Sequence, residues 1–345
     1  MQEIERLVRY SILFFILIIL FVDFVPAQNF PDQKVDSLLK TGIRKIINQE
    51  YFKAENIFHQ LNRDYPDLPF GKIYLAACRI AKAYDYAEEY DSDYIESNLD
   101  EAKEYAEDLL SSDENNLWFN YFYALAEGYI AYYDALKGNW LSALSTGVNS
   151  ISIFENCLNL SNEFFEAYIA IGTFEYWKSR KTDFLNGLPF YEDNSDIGID
   201  NLRTAVELAS YNSYLAINSL IWIYIDREEF NNAIELGQKA LEEFPDSRYF
   251  KWGLARAYED VDSKRSIELY KEILQSFSSV QNKNRINLII LKHLIAQQYL
   301  KLGEKQRTLE LCNEILTINN LNKFELSRLE NRLQRVKDLK NSLSR

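Results

Sequence analysis

The side chains that most often carry chemistry are few in this chain and far apart. It has two histidines, His59 and His293, and three cysteines, Cys78, Cys157 and Cys312. A zinc or iron site needs several nitrogen and sulfur ligands at short, characteristic spacings, and no such spacing occurs. No glycine-rich phosphate loop, HExxH or GxSxG sequence is present. Asp and Glu number 52, so a pair of carboxylates at catalytic distance carries no information by itself. No acid, base or nucleophile stands out as one held in a perturbed site. The residue types point away from catalysis and call for no cofactor or metal. The densest acidic stretch, Asp85 to Glu96, alternates carboxylates with tyrosines. Asp91, Asp93 and Glu96 are ligands of the kind hard cations favour, but the glycine turn of a calcium loop is missing. That stretch reads as the solvated extension of a helix end.

The elements that carry these residues are helical. Leu38, Leu39, Ile43, Ile46 and Ile47 recur at helical spacing, and Phe52, Ala54, Ile57, Phe58 and Leu61 do so again. Tyr65-Pro66-Asp67-Leu68-Pro69 then ends the pair, because proline cannot continue a helix. Gly42, Ala54, Phe58, Leu61 and Pro66 set a frame that returns after multiples of about 34 residues. Tyr224, Ala233, Ala240 and Pro245 repeat it, and Ile295, Ala296, Tyr299, Gly303, Cys312 and Ile315 keep it in weaker letters. A fixed period means stacked helical hairpins, each unable to bury its apolar face alone.

Successive hairpins are expected over residues 37–66, 70–112, from Leu117-Trp118 through the Gly138-Asn139 turn, from Ala167, and over 214–245, 248–277 and 289–318. The fourth is interrupted by an insertion from Thr182 to Asp196, with Asn186-Gly187-Leu188-Pro189 as its turn signal. Residues 323–343 read as a terminal cap. Leu326, Leu329, Leu333, Val336, Leu339 and Leu343 form its apolar stripe, and Arg328, Arg332, Arg335, Lys337 and Lys340 cover the rest. Only 11 Gly and 6 Pro in 345 residues argue against a β-rich or disordered chain. Three widely spaced cysteines are no disulfide framework, and each reads as a small buried apolar group.

The frame resembles the tetratricopeptide repeat (TPR) over nearly all of residues 37–318. It is sharpest in the first, fifth and seventh hairpins and degenerate in the second to fourth. The resemblance implies an all-α, right-handed α-solenoid of about seven hairpins with a C-terminal capping helix. It also implies a concave groove, lined by the first helix of each hairpin, that holds peptides or partner domains. Placed on that frame, Tyr132, Tyr176 or Trp177, Trp222 and Trp252 fall on successive inner faces, with Asp226 and Arg256 in register beside them. Rings with a few charges suit a peptide groove, because they bury much area at little entropy cost, and packing between repeats is the alternative use of the same rings. The inserted segment, with Lys178, Arg180, Lys181, Tyr191 and Asp193, is placed to overhang it. The middle segment, with Gly138-Asn139-Trp140-Leu141, Tyr176-Trp177, Leu188-Pro189-Phe190 and Gly198-Ile199, faintly resembles the tetratricopeptide-39 and inclusion-clearance group. No function follows from so short a match.

At the N-terminus Arg6 and Arg9 precede an unbroken apolar run from Ile12 to Val22, and Val25-Pro26-Ala27 offers small residues before Gln28. The run is short of the roughly 20 residues of a spanning helix. Residues 1–27 therefore read as a signal peptide, with an uncleaved anchor as the alternative. The net charge of −14 is uneven: residues 28–280 hold 23 basic and 43 acidic groups (−20), and residues 281–345 hold 13 and 6 (+7). An acidic body disfavours nucleic acid. The basic end suits an acidic partner or an anionic lipid surface, with a solvated cap as the plain alternative.

The expectation is a non-catalytic adaptor or scaffold, exported to the periplasm or cell envelope, that binds a protein or peptide in its concave groove. Two alternatives stand beside it. One is a small-ligand binding protein associated with transport, using a pocket under the 182–196 insertion. The other is an envelope assembly factor tethered by residues 1–27, with its basic C-terminal helix near lipid.

Overall fold

Helix follows helix because each carries an apolar stripe and a defined end. In the computed structural model, residues 28–181, 193–279 and 285–343 are described, and the expected leader lies outside them. The described residues form fifteen α-helices and no strand. They pair in order as α1 (Gln33–Ile47) with α2 (Tyr51–Asp64), α3 (Phe70–Tyr86) with α4 (Ser92–Ser112), and α5 (Leu117–Lys137) with α6 (Trp140–Leu160). There follow α7 (Ala167–Lys181) with α8 (Ser195–Leu208), α9 (Ser213–Asp226) with α10 (Phe230–Glu243), and α11 (Arg248–Tyr258) with α12 (Ser263–Ser276). The last pair is α13 (Ile286–Lys301) with α14 (Lys305–Leu316), and α15 (Lys323–Leu343) closes the stack against both. The result is an all-α solenoid of seven hairpins and a cap.

Local chemistry sets these ends. Asp32 accepts the backbone N–H groups of Lys34 and Val35 at 2.8 and 3.0 Å, so α1 begins at Gln33, ahead of the expected start at residue 37. Asn322 and Glu325 form a reciprocal capping box at α15, with Glu325 N–H donating to Asn322 Oδ1 at 2.9 Å and Asn322 N–H to Glu325 Oε2 at 2.8 Å. Within hairpins the small residues permit contact. A Cβ on Gly172 or Gly198 would stand 2.6 Å from the carbonyl oxygen of the other, so α7 and α8 touch backbone to backbone. A larger residue at either position would force the pair apart.

The stripe is not buried throughout. Phe52, expected on the apolar face of the first hairpin, is 76% exposed. Trp140, Leu141 and Leu144 on the first half of α6 also face solvent. The three cysteines are buried and free.

The stack curls until its beginning meets its later units. Arg44 of α1 pairs with Glu243 of α10 at 2.6 Å. Ser247 Oγ donates to the Ile47 carbonyl at 2.8 Å, and Arg248 N–H donates to Gln49 Oε1 at 3.0 Å. Asp85, at the end of α3, takes Arg248 bidentately at 2.9 and 2.5 Å, and its carbonyl accepts from Asn287 of α13 at 2.8 Å. Arg248 also lies over the rings of Tyr86 and Phe277.

A second tie crosses the middle of the stack. Glu166, 4% exposed, accepts the Tyr211 and Asn212 N–H groups at 2.5 and 3.3 Å and the Asn212 amide at 2.9 Å. Tyr121 donates to the same carboxylate at 3.4 Å, and Tyr74 meets the Asn212 side chain. Burial raises the Glu166 pKa, and the backbone and amide donors oppose that shift. Four successive hairpins are thus bound through one carboxylate.

Candidate functional site: the inner face of the superhelix

On the first helix of each hairpin, residues three, four and seven apart share one side. Tyr129 and Tyr132 share a side of α5, Asn218, Trp222 and Asp226 one of α9, and Tyr249, Trp252 and Arg256 one of α11. Tyr84 adds a ring from the last turn of α3. Tyr84 is 63% exposed, Tyr132 48% and Trp222 38%, so rings remain open to solvent here. Tyr84 and Tyr132 are nonetheless neighbours of one another. The Tyr132 hydroxyl is pushed up by burial and then by Tyr84, Tyr90 and Tyr129. That of Tyr249 is pushed up by burial and then by Tyr132, Tyr129 and Tyr84, with Asn218 acting against the shift. Desolvation disfavours a phenolate, and adjacent hydroxyls strengthen that preference, so the cluster stays neutral and able to donate. Asn218 Oδ1 is buried without a hydrogen-bond partner. The cluster offers aromatic faces, hydroxyl donors and one unmet acceptor.

The residues expected from sequence fall into two groups. Tyr132 and Trp222 are exposed, and Trp252 is half-buried, edge-on to Tyr270 with ring centroids 6.0 Å apart. Tyr176 is 1% exposed and packs with Trp177 against the interior of the fourth and fifth hairpins. Its hydroxyl donates to Asp226 at 2.8 Å, and Arg180 holds the same carboxylate at 2.7 Å. Arg256 pairs with Glu259, which accepts the Tyr270 hydroxyl at 2.6 Å. Tyr176, Asp226 and Arg256 therefore already spend their polar atoms within the fold. Tyr84, Tyr129, Tyr249 and Asn218 were missed, although Tyr129 stands three before Tyr132 and Tyr249 three before Trp252. The expected overhang falls largely on residues 182–192, outside the described residues.

Among the described residues no group of three His, Cys, Asp or Glu side chains could hold a metal ion. Glu96, in the acidic–aromatic stretch, pairs with Lys137 at 2.7 Å. No helix among the described residues is long and apolar enough to cross a membrane.

No protein-family model and no curated protein matches the sequence. Solved structures do match. A chain of the Cut9–Hcn1 hetero-tetramer of the APC/C superposes with a TM-score of 0.53 at 13% identity, over 89% of this chain and 55% of that one. TTC0263, a thermophilic TPR protein of Thermus thermophilus, gives 0.40 at 14% identity over 65% of this chain and 98% of its own. YrrB, a TPR protein with an unusual peptide-binding site, gives 0.43 at 12% identity over 66% of this chain and all of its own. The chain spans about half the length of the Cut9–Hcn1 chain it matches. Fold and repeat spacing together define a TPR-type solenoid.

Proposed function

We propose that the protein is an exported, non-catalytic scaffold that takes an extended segment of a partner protein into its lumen. The observation that carries this reading is the convergence of Tyr84, Tyr132 and Tyr249 from three different hairpins, with Trp222 exposed one turn along α9 from Asn218, which reaches Tyr249. Rings held by helices lose little entropy on binding, and their hydroxyls suit the carbonyls of an extended backbone. The unmet Asn218 Oδ1 suits a backbone N–H. TPR-type solenoids among its structural neighbours include one described as having a peptide-binding site, which agrees with the reading without carrying it. Export rests on the basic, apolar and small-residue sequence of residues 1–27.

The test is a photo-crosslinking amino acid at Trp222 or Tyr132 in the native cell, with the outward-facing Glu155 as control. A protein adduct at the inner positions and none at Glu155 supports the lumen. Adducts at Glu155 alone overturn it. N-terminal sequencing of the extracted protein tests export: a chain beginning at Gln28 supports a cleaved leader, and one retaining residues 1–27 supports the tethered form.

A further inference from the structure

The capping helix carries Arg328, Arg332 and Arg335 at spacing i, i+4, i+7, which places them along one side of α15. Arg332 Nη1 stands 3.3 Å from Nδ1 of His293, a side chain on α13 that is 1% exposed. Burial, Arg332 and Arg335 hold the His293 pKa down at about 4, so at neutral pH the ring is uncharged and accepts the guanidinium N–H. A neutral acceptor leaves the charge of Arg332 uncancelled. Burial and Arg335 lower the Arg332 pKa, with Tyr270 of α12 opposing them. Arg328 is within electrostatic reach of Tyr90, which follows α3.

Among the described residues no carboxylate pairs with any of these three arginines. Every other described arginine is answered. Ten lie in ion pairs, and Arg285 donates to the carbonyls of Asn319 and Asn320. In a chain with 52 acidic and 38 basic side chains, three adjacent guanidiniums without a carboxylate partner among the described residues are an exception. Their mutual repulsion disfavours the arrangement, which an anion would relieve.

We infer that this arginine face seats an acidic, extended segment of a partner protein. The inference deepens the scaffold reading and rests on it. Arg328 and Arg332 lie about 6 Å apart along the helix axis. Same-side residues i and i+2 of an extended chain are about 6.7 Å apart, so an acidic residue at every second position matches the pair. The planar guanidinium fork takes a carboxylate bidentately, as Arg248 takes Asp85 within the fold. An anionic membrane fits less well, because residues 28–280 carry −20 and would be repelled from it.

The test uses the full-length protein and a fluorescein-labelled peptide of alternating Glu and Ser, with a Gln-for-Glu peptide as control, followed by fluorescence anisotropy. Arg328 and Arg335 are exposed, so Arg328→Glu/Arg335→Glu should keep the fold, as circular dichroism would show. The native chain is expected to bind the acidic peptide, more weakly as salt rises. The double variant should lose about tenfold or more, and Arg332→Lys should lose less. Binding that survives Trp222→Ala supports the arginine face and separates it from the aromatic lumen. Loss on Trp222→Ala with retention in the double variant places the peptide among the rings and overturns the inference. So do equal binding of the Gln peptide, no binding at all, or charge-dependent capture of phosphatidylserine vesicles without peptide binding.

Discussion

Arg248 is a buried guanidinium and Arg332 a partly buried one, and the structure treats them in opposite ways. Arg248 has a bidentate carboxylate, two aromatic faces and a place in the contact that ties the first hairpins to the sixth. Arg332 has one neutral imidazole and a like charge beside it. A charge that serves architecture is answered inside the chain, because removing it from water is otherwise too costly. A charge left without a carboxylate is available to something that is not the chain. The contrast separates the closure of the superhelix from its C-terminal end.

That contrast can be broken most directly at Arg248. Arg248→Ala should strand the Asp85 carboxylate and lower stability by about 3–5 kcal/mol, read as the urea midpoint multiplied by the m-value. A loss no larger than that of an exposed pair would place Arg248 among the ordinary surface charges. Next comes Glu166→Ala, which leaves the Tyr211 N–H, the Asn212 N–H and the Asn212 amide without their acceptor. About 3 kcal/mol is expected, with hydrogen exchange accelerating together in the second to fifth hairpins.

Phe30 tests a weaker tie. It is half-buried before α1, edge-on to Phe70 at 5.6 Å and Trp118 at 5.0 Å, with its N–H on the Tyr211 hydroxyl at 2.6 Å. Phe30→Ala should cost about 1–2 kcal/mol and leave the later hairpins unchanged by hydrogen exchange.

The smallest effect at neutral pH belongs to Arg332. Arg332→Gln should change stability by less than about 1 kcal/mol, since no paired carboxylate is stranded. Its signature is pH dependence. His293 has its folded pKa lowered to about 4, against about 6.5 when unfolded, so the unfolded chain takes up the proton first. The stability tied to a neutral His293 is whole above about pH 6.5 and is lost as pH falls towards about 4. Replacing Arg332 and Arg335 with Gln removes two of the causes and should flatten that slope, measured by urea midpoints between pH 7 and 4.5. An unchanged slope would show that burial alone sets the shift.

Much of the fold was legible without coordinates. The Gly42, Ala54 and Phe58 spacing specifies a helical hairpin wherever it occurs, because helix contact needs small residues at fixed offsets and proline ends a helix locally. Those are short-range causes, and the chain states them in order. The candidate site was legible only in part. Tyr132 and Trp222 stay exposed, but Tyr176 is covered by Trp177 and held by Asp226 of the next hairpin. Phe52 shows the reverse case, an apolar letter in the right frame with nothing above it.

By itself, then, the sequence determined the helices, their pairing, the cap and the charge imbalance between body and C-terminal end. Tertiary structure alone decided which charges are answered. Arg248 meets Asp85 across 163 positions and Glu166 meets Asn212 across 46, while Arg332 meets no acid among the described residues. Repeat spacing constrains neighbours along the stack, but those meetings depend on the curl accumulated over several hairpins. A small rotation per unit, summed around the superhelix, sets which distant side chains face each other.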